Sequence, residues 1–165
     1  MSFKDIYLNY RCPRYEMMPS IALYKDQLVS VLEEYISPFS TEEKLITSSM
    51  INNYVKLKII KPPVNKKYDR EQLSFLYIIC LLKRFMPIEQ ICKGFEFVLK
   101  HCRMGEAYNI FCDELENAMQ RVFGGEPLHE PAEECEETDI IRSVTNGLAN
   151  FVFANVLIKT KEEKK

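Results

Sequence analysis

Histidine and glycine are scarce in this chain, at two and five among 165 residues, and none of the six cysteines is paired at close spacing. No glycine loop suited to cradling phosphate occurs, nor a Gly-x-Ser-x-Gly elbow, so two familiar routes to an enzymatic reading are closed. Cys12, Cys80, Cys92, Cys102, Cys112 and Cys135 form no C-x-x-C pair, and several fall on apolar helical stripes. They read as small reduced core residues, not as a disulfide framework or a zinc site. His101 beside Cys102 and His129 among acidic residues make no ligand set, so neither metal nor cofactor is expected. Carboxylate pairs such as Glu33 and Glu34 lie among lysines on helix surfaces, and the chain is read as a non-enzyme.

Long hydrophobic runs are missing too. The continuous apolar stretch from Phe75 to Leu82 is eight residues long, whereas a helical membrane span needs about 20. Lys4 and Asp5 interrupt the start, where a secretory leader would need an apolar core, so a cytoplasmic location is expected.

What is present suffices for a folded body: 47% of the residues are hydrophobic, enough for a sizeable core in one domain with an appendage. The formal net charge is only −2, but the charges are segregated. Residues 44–70 hold seven basic residues and one acidic; residues 105–139 hold one basic and eleven acidic. Opposed regions of this kind steer a polyanion towards one surface, although ordinary solvated faces would produce the same count.

The periodicity predicts a mainly α protein. Residues 1–19, with Tyr7, Tyr10 and Tyr15 among Pro13 and Pro19, read as an extended arm. Ser20 then caps a helix with Ile21, Tyr24, Leu28, Val31, Leu32 and Tyr35 on one side. A further helical turn is expected over Thr41–Ile46. Thr47 or Ser48 caps the next helix, whose apolar positions Met50, Ile51, Tyr54, Val55 and Leu57 leave Asn52, Asn53, Lys56 and Lys58 facing outward. Pro62 and Pro63 force a stop near Ile60. Lys61, Lys66 and Lys67 then surround a short hairpin formed by Val64, Asn65 and Tyr68, and Asp69 with Gln72 spells a capping box for the central apolar helix. Pro87 opens a helix with Ile88, Ile91, Cys92, Phe95, Leu99 and Cys102 along one stripe. Residues 105–124 form an additional helix that stops at Gly124 and Gly125. Residues 125–138 read as an acidic linker, and 139–165 as a last helix with a charged tail.

Ile51 to Pro62, INNYVKLKIIKP, resembles the core of the MerR-type DNA-binding domain, in which a recognition helix ending in Tyr-x-x-Leu runs into Lys-Pro and a wing. Tyr54, Leu57, Lys61 and Pro62 match. The likeness continues through Tyr68, then Leu73, Leu76 and Ile79, then Ile88, Glu89 and Ile91. Asn52 and Asn53 stand where that family usually has Arg and Tyr, and Lys58 where it has Gly. The stretches Leu23–Tyr35, Met50–Lys56 and Lys66–Leu73 are also similar to a family of small bacterial proteins known only as a domain of unknown function, which implies no activity.

The resemblance implies a MerR-like winged helix-turn-helix over residues 20–104, with a β-hairpin wing and additional C-terminal helices. Its expected role is a DNA-binding transcriptional regulator that contacts double-stranded DNA. Ser49, Asn52, Asn53, Lys56 and Lys58 would lie on the helix entering the groove, and Lys66, Lys67 and Arg70 on the wing. Asn is able to read adenine with two hydrogen bonds. The alternative is a protein-interaction module on the same scaffold, its lysines turned to an acidic partner. A small-molecule sensor would instead enclose a ligand among Phe95, Tyr108 and Phe111. Ile141, Val144, Leu148, Phe151, Asn155 and Ile158 alternate at spacings of three and four on the last helix, which suits either a homodimer contact or packing back onto its own domain.

Overall fold

A computed structural model of the chain describes residues 3–40, 43–125 and 135–163. In chain order the elements are α1 (Phe3–Leu8), β1 (Leu23–Tyr24), α2 (Lys25–Ile36), α3 (Ser48–Lys56), β2 (Lys67–Tyr68), α4 (Arg70–Leu82), α5 (Ile88–Val98), α6 (Met104–Gly124) and α7 (Glu136–Glu162). The protein is mainly helical, with a small antiparallel sheet in the order β1-β2. No helix among the described residues is long and apolar enough to cross a membrane.

The residues gather into two compact units: Pro13–Asn109, and Met1–Cys12 together with Ile110–Lys165. In the first, α4 is the hub. Its stretch from Gln72 to Leu82 is buried except for half-exposed Phe75, as expected of an apolar run covered on several sides. The inward residues Leu28, Leu32 and Ile36 of α2 pack towards it. Complete burial of a Leu or Ile such as Leu28, Leu76 or Ile79 contributes about 1.5–3 kcal/mol each. The polar members of this core are satisfied: Ser74 Oγ donates to Glu71 O at 2.9 Å, and both ends of Gln72 are bonded. Asp69 forms the expected capping box, its carboxylate accepting Gln72 N at 2.9 Å while Gln72 Oε1 accepts Asp69 N at 2.8 Å.

Several expectations need correction. The stripe assigned to a helix starting at Ser20 instead contains β1, and α2 begins at Lys25. Ile21 and Tyr24 are consequently exposed, at 73% and 48%. Helical spacing ran through Ile21 and Tyr24, but backbone pairing of Leu23 and Tyr24 with β2 overrode it. No helix forms over residues 43–46, and Thr41 and Glu42 lie outside the described residues. That connection is held by buried Phe39 and Ile46, with Arg84 Nη1 donating to Phe39 O at 2.9 Å. Residues 1–19 are not uniformly extended, since α1 and a single 3-10 turn at Tyr15–Met17 lie within them. Tyr15 is tied down by Asn109, whose Oδ1 accepts Tyr15 N at 3.0 Å, and Tyr108 Oη donates to Pro13 O at 2.6 Å. A Cβ on Gly105 would meet the Tyr15 ring at 2.9 Å, so this close approach needs glycine.

In the second unit Tyr7 stacks on Phe123 at 4.8 Å between ring centres, and Phe123 meets Phe153 edge-on at 5.1 Å. Arg142 of α7 reaches Glu114 at 3.2 Å, and Arg121 donates to Asn146 at 2.8 Å. The buried stripe of α7 is Ile141, Thr145, Leu148, Ala149 and Val152. The expected stripe overlaps it at Ile141 and Leu148, whereas Val144, Phe151 and Asn155 are half-buried and Ile158 is exposed. Much of α7 is thus used within its own unit. Most of the expected acidic linker, residues 126–134, lies outside the described residues.

The capping box generates a stability prediction. Asp69→Ala should cost about 1 kcal/mol and Asp69→Asn only a small fraction of that, read as a shift in the urea midpoint at unchanged slope.

Candidate nucleic-acid interface

α3 has nine residues and a side-chain cap, Thr47 Oγ1 accepting Met50 N at 3.2 Å. Ile51 and Tyr54 point into the core, Met50 and Val55 are half-buried, and Ser49, Asn52, Asn53 and Lys56 lie exposed on the outer face. Leu57, expected on the inner stripe, is 59% exposed because the helix has already ended there. The chain leaves through Lys58 at φ +59°, the left-handed conformation that glycine adopts most readily. It is the position at which the sequence departs from the MerR pattern by having no glycine. Ile59 N and Ile60 N both donate to Tyr54 O, and buried Ile60 anchors the exit.

The hairpin is built from four residues. Val64 and Lys67 exchange both backbone hydrogen bonds, at 3.0 and 2.9 Å, around Asn65 and Lys66 at φ +49° and +63°. That is the tight two-residue turn whose twist suits antiparallel strands. Its second arm, Lys67–Tyr68, then pairs with Leu23–Tyr24. Gln72 Nε2 donates to Lys61 O at 2.8 Å, fixing the segment that joins α3 to the hairpin.

Beneath α3 lies Lys83, a cation that sequence reasoning missed. Its Nζ donates to Leu45 O and lies 3.4 Å from both Met50 Sδ and Tyr54 Oη. Burial lowers its pKa, while burial pushes the neighbouring Cys80 thiol up to about 12. Lys83 therefore acts as a strut that holds α3 and the preceding loop against the end of α4. A lysine immediately after an eight-residue apolar run was the available signal.

The expected site residues divide into groups. Asn52 and Lys66 line one open groove, together with Ser48 and Val55 of α3, Pro63 and Tyr68 of the hairpin region, and Tyr24, Lys25 and Asp26 at the start of α2. Lys67 is half-buried, its ammonium 4.8 Å from the centre of the Tyr24 ring. Ser49, Asn53 and Lys56 share the exposed face of α3, and Lys58 is exposed on the turn after it. Arg70 turns elsewhere: its guanidinium lies 5.3 Å from the Tyr15 ring centre and Nε donates to Pro19 O at 3.4 Å. Tyr24 and Lys25 were not anticipated. Lys25 Nζ donates to Asn52 Oδ1 at 2.9 Å and so belongs to the groove. Among the described residues no three His, Cys, Asp or Glu side chains gather as a metal site would require.

The groove lies wholly within Pro13–Asn109, and a family model, that of the domain of unknown function DUF1836, matches residues 13–111, well over half the chain. The chain belongs to the DUF1836 family. No curated protein and no solved structure matches it. The DUF1836 match begins at the first residue of the unit that carries the groove and ends two residues past it, so α3, the hairpin and the Lys83 strut are parts of the family domain.

The packing beneath α3 predicts a pH dependence. The unfolded Cys80 thiol ionises near its ordinary 9.0 and the folded one near 12, so the stability it supplies is complete below pH 9.0 and lost as pH rises towards 12. The urea midpoint of this DUF1836 protein should fall across that range, and more gently in Cys80→Ala.

Proposed function

We propose that this protein binds double-stranded DNA as a transcriptional regulator, presenting α3 to the major groove and the 64–67 hairpin to the neighbouring backbone. The observation that carries this reading is that Asn52, Lys25 and Lys66, contributed by three separate segments, line one open groove. Amides next to ammoniums suit a surface that must both neutralise phosphates and read base edges. The order helix, tight hairpin, helix is that of a winged helix-turn-helix, and the MerR-like assignment is part of the proposal. Lys56 and Lys58 continue the cationic surface past the end of α3, and both are exposed. Surface lysines of this kind contribute little to folding, so their clustering suits a polyanionic partner better than it suits stability. A palindromic operator would call for a second copy of the chain, and exposed Leu157 and Ile158 near the end of α7 are the contact we assign to it.

Gel shift against genomic fragments over a salt series tests the proposal. Retention should weaken steeply with salt, because each neutralised phosphate releases a condensed counterion. The pair Lys66→Glu and Lys67→Glu should lower affinity for every duplex by about tenfold or more and flatten the salt slope, whereas Asn53→Ala should chiefly relax sequence preference. Absence of salt-sensitive retention by the unaltered protein would remove the proposal.

A further inference from the structure

The contact between Lys25 and Asn52 has a chemical consequence for what the groove is able to read. An ammonium carries three donors and no acceptor, so the atom of the Asn52 amide that faces Lys25 Nζ at 2.9 Å must be the oxygen. The two protons on Nδ2 are spent on no protein group among the described residues, and Asn52 is exposed on the outer face of α3. Lys25 is well placed for this role. It is the first residue of α2, directly after the β1 residue Tyr24, which pairs with Lys67, and Tyr24 N is held by Gln27 Oε1 at 2.9 Å. The ammonium thus reaches α3 from a backbone anchored on both sides.

We infer that Lys25 locks the Asn52 amide as a hydrogen-bond donor, so that Asn52 reads guanine in preference to adenine. This deepens the duplex-binding reading and rests on it. Adenine presents N7 as an acceptor beside the N6 amino donor, and an asparagine recognises the pair only by offering one N–H and its own oxygen. Here one lone pair of the oxygen is taken by an ammonium, and an incoming N6 amino group would have to share that oxygen with the positive charge beside it. Guanine presents N7 and O6, two acceptors side by side, which suit the free Nδ2 protons and the positive charge behind them. The acidic member of the groove, Asp26, sits one residue beyond Lys25 and takes no part in the contact. Among the described residues Asn53 has no such partner, and both halves of its amide are kept for adenine. The adjacent asparagines, identical in sequence, are therefore assigned opposite preferences, and Lys25 is the positioning residue that separates them.

Selection from a randomised duplex library with the full chain tests this. The unaltered protein should enrich guanine at one position, Asn52→Ala should flatten that position alone, and Lys25→Met should turn its preference towards adenine by about tenfold. Lys25→Arg, which still offers only donors, should keep guanine. Adenine at the Asn52-dependent position of the unaltered protein would overturn the inference, as would a guanine preference that survives Lys25→Met. A second measurement needs no DNA. The Asn52 side-chain amide resonances of the free protein should move in Lys25→Met, and unmoved resonances would overturn the inference while leaving duplex binding itself standing. A library from which no duplex is retained removes the duplex reading and this inference together.

Discussion

Gln72 is the side chain on which the placement of the candidate surface depends. The residue is only 8% exposed, and a glutamine so deeply buried is tolerable only with its polar atoms bonded. The oxygen completes the capping box at the start of α4, and the nitrogen holds Lys61 O in the segment leaving α3. One residue thereby joins the most buried helix of its unit to the strand of chain between α3 and the hairpin. That segment contains Pro62 and Pro63, which have no amide protons to give, so its regularity must be supplied from outside. Gln72 supplies it.

The candidate surface is therefore set by packing and not by the intrinsic stability of its parts. A helix of nine residues is too short to persist alone in water, and a two-residue hairpin is marginal without further strands. α3 is held from below by Ile51, Tyr54 and the Lys83 strut, and the hairpin is held from the side by β1. The cations fall into two kinds accordingly. Lys83 is half-withdrawn from water and donates to a backbone carbonyl, which makes it structural; Lys56, Lys58 and Lys66 stand in solvent, where they add little to folding and stay available to an anion. Seven basic residues in 44–70 thus overstate the open charge, because Arg70 and Lys67 are partly spent on the rings of Tyr15 and Tyr24.

Where sequence and structure agree, the chemistry is local. The turn residues before Lys67 and the Asp69–Gln72 box each act within a few positions, and each appears as expected; the helix before the double proline ends at Lys56, short of the expected stop near Ile60, at the left-handed turn through Lys58. Where they differ, a partner distant in sequence decided. Ile21 and Tyr24 fit a helical stripe, but Leu23 and Tyr24 pair with residues more than forty positions later. Lys83 was not singled out in the sequence, and the groups its ammonium meets, Leu45 O and Tyr54 Oη, lie 38 and 29 positions away. One missed boundary was nevertheless readable. Tyr24-Lys-Asp-Gln27-Leu28 repeats the pattern Asp69-Arg-Glu-Gln72-Leu73, and in both the glutamine oxygen accepts the backbone N–H three residues earlier. Reading the two helix starts together would have moved the beginning of α2 from Ser20 to Lys25.

That shift bears directly on the proposed recognition. With a helix starting at Ser20, Lys25 would sit in its second turn as one more solvated lysine, and the two asparagines of α3 would be chemically equivalent. With β1 in place, the first residue of α2 is carried to α3, and the Asn52 oxygen accepts from an ammonium. A single backbone pairing of two residues, Leu23 with Tyr68 and Tyr24 with Lys67, thus determines which hydrogen-bonding groups the outer face of α3 offers. Polar recognition of a base edge turns on one donor or acceptor at a time, so any specificity of this surface is set as much by the strand before α2 as by the helix that bears the asparagines.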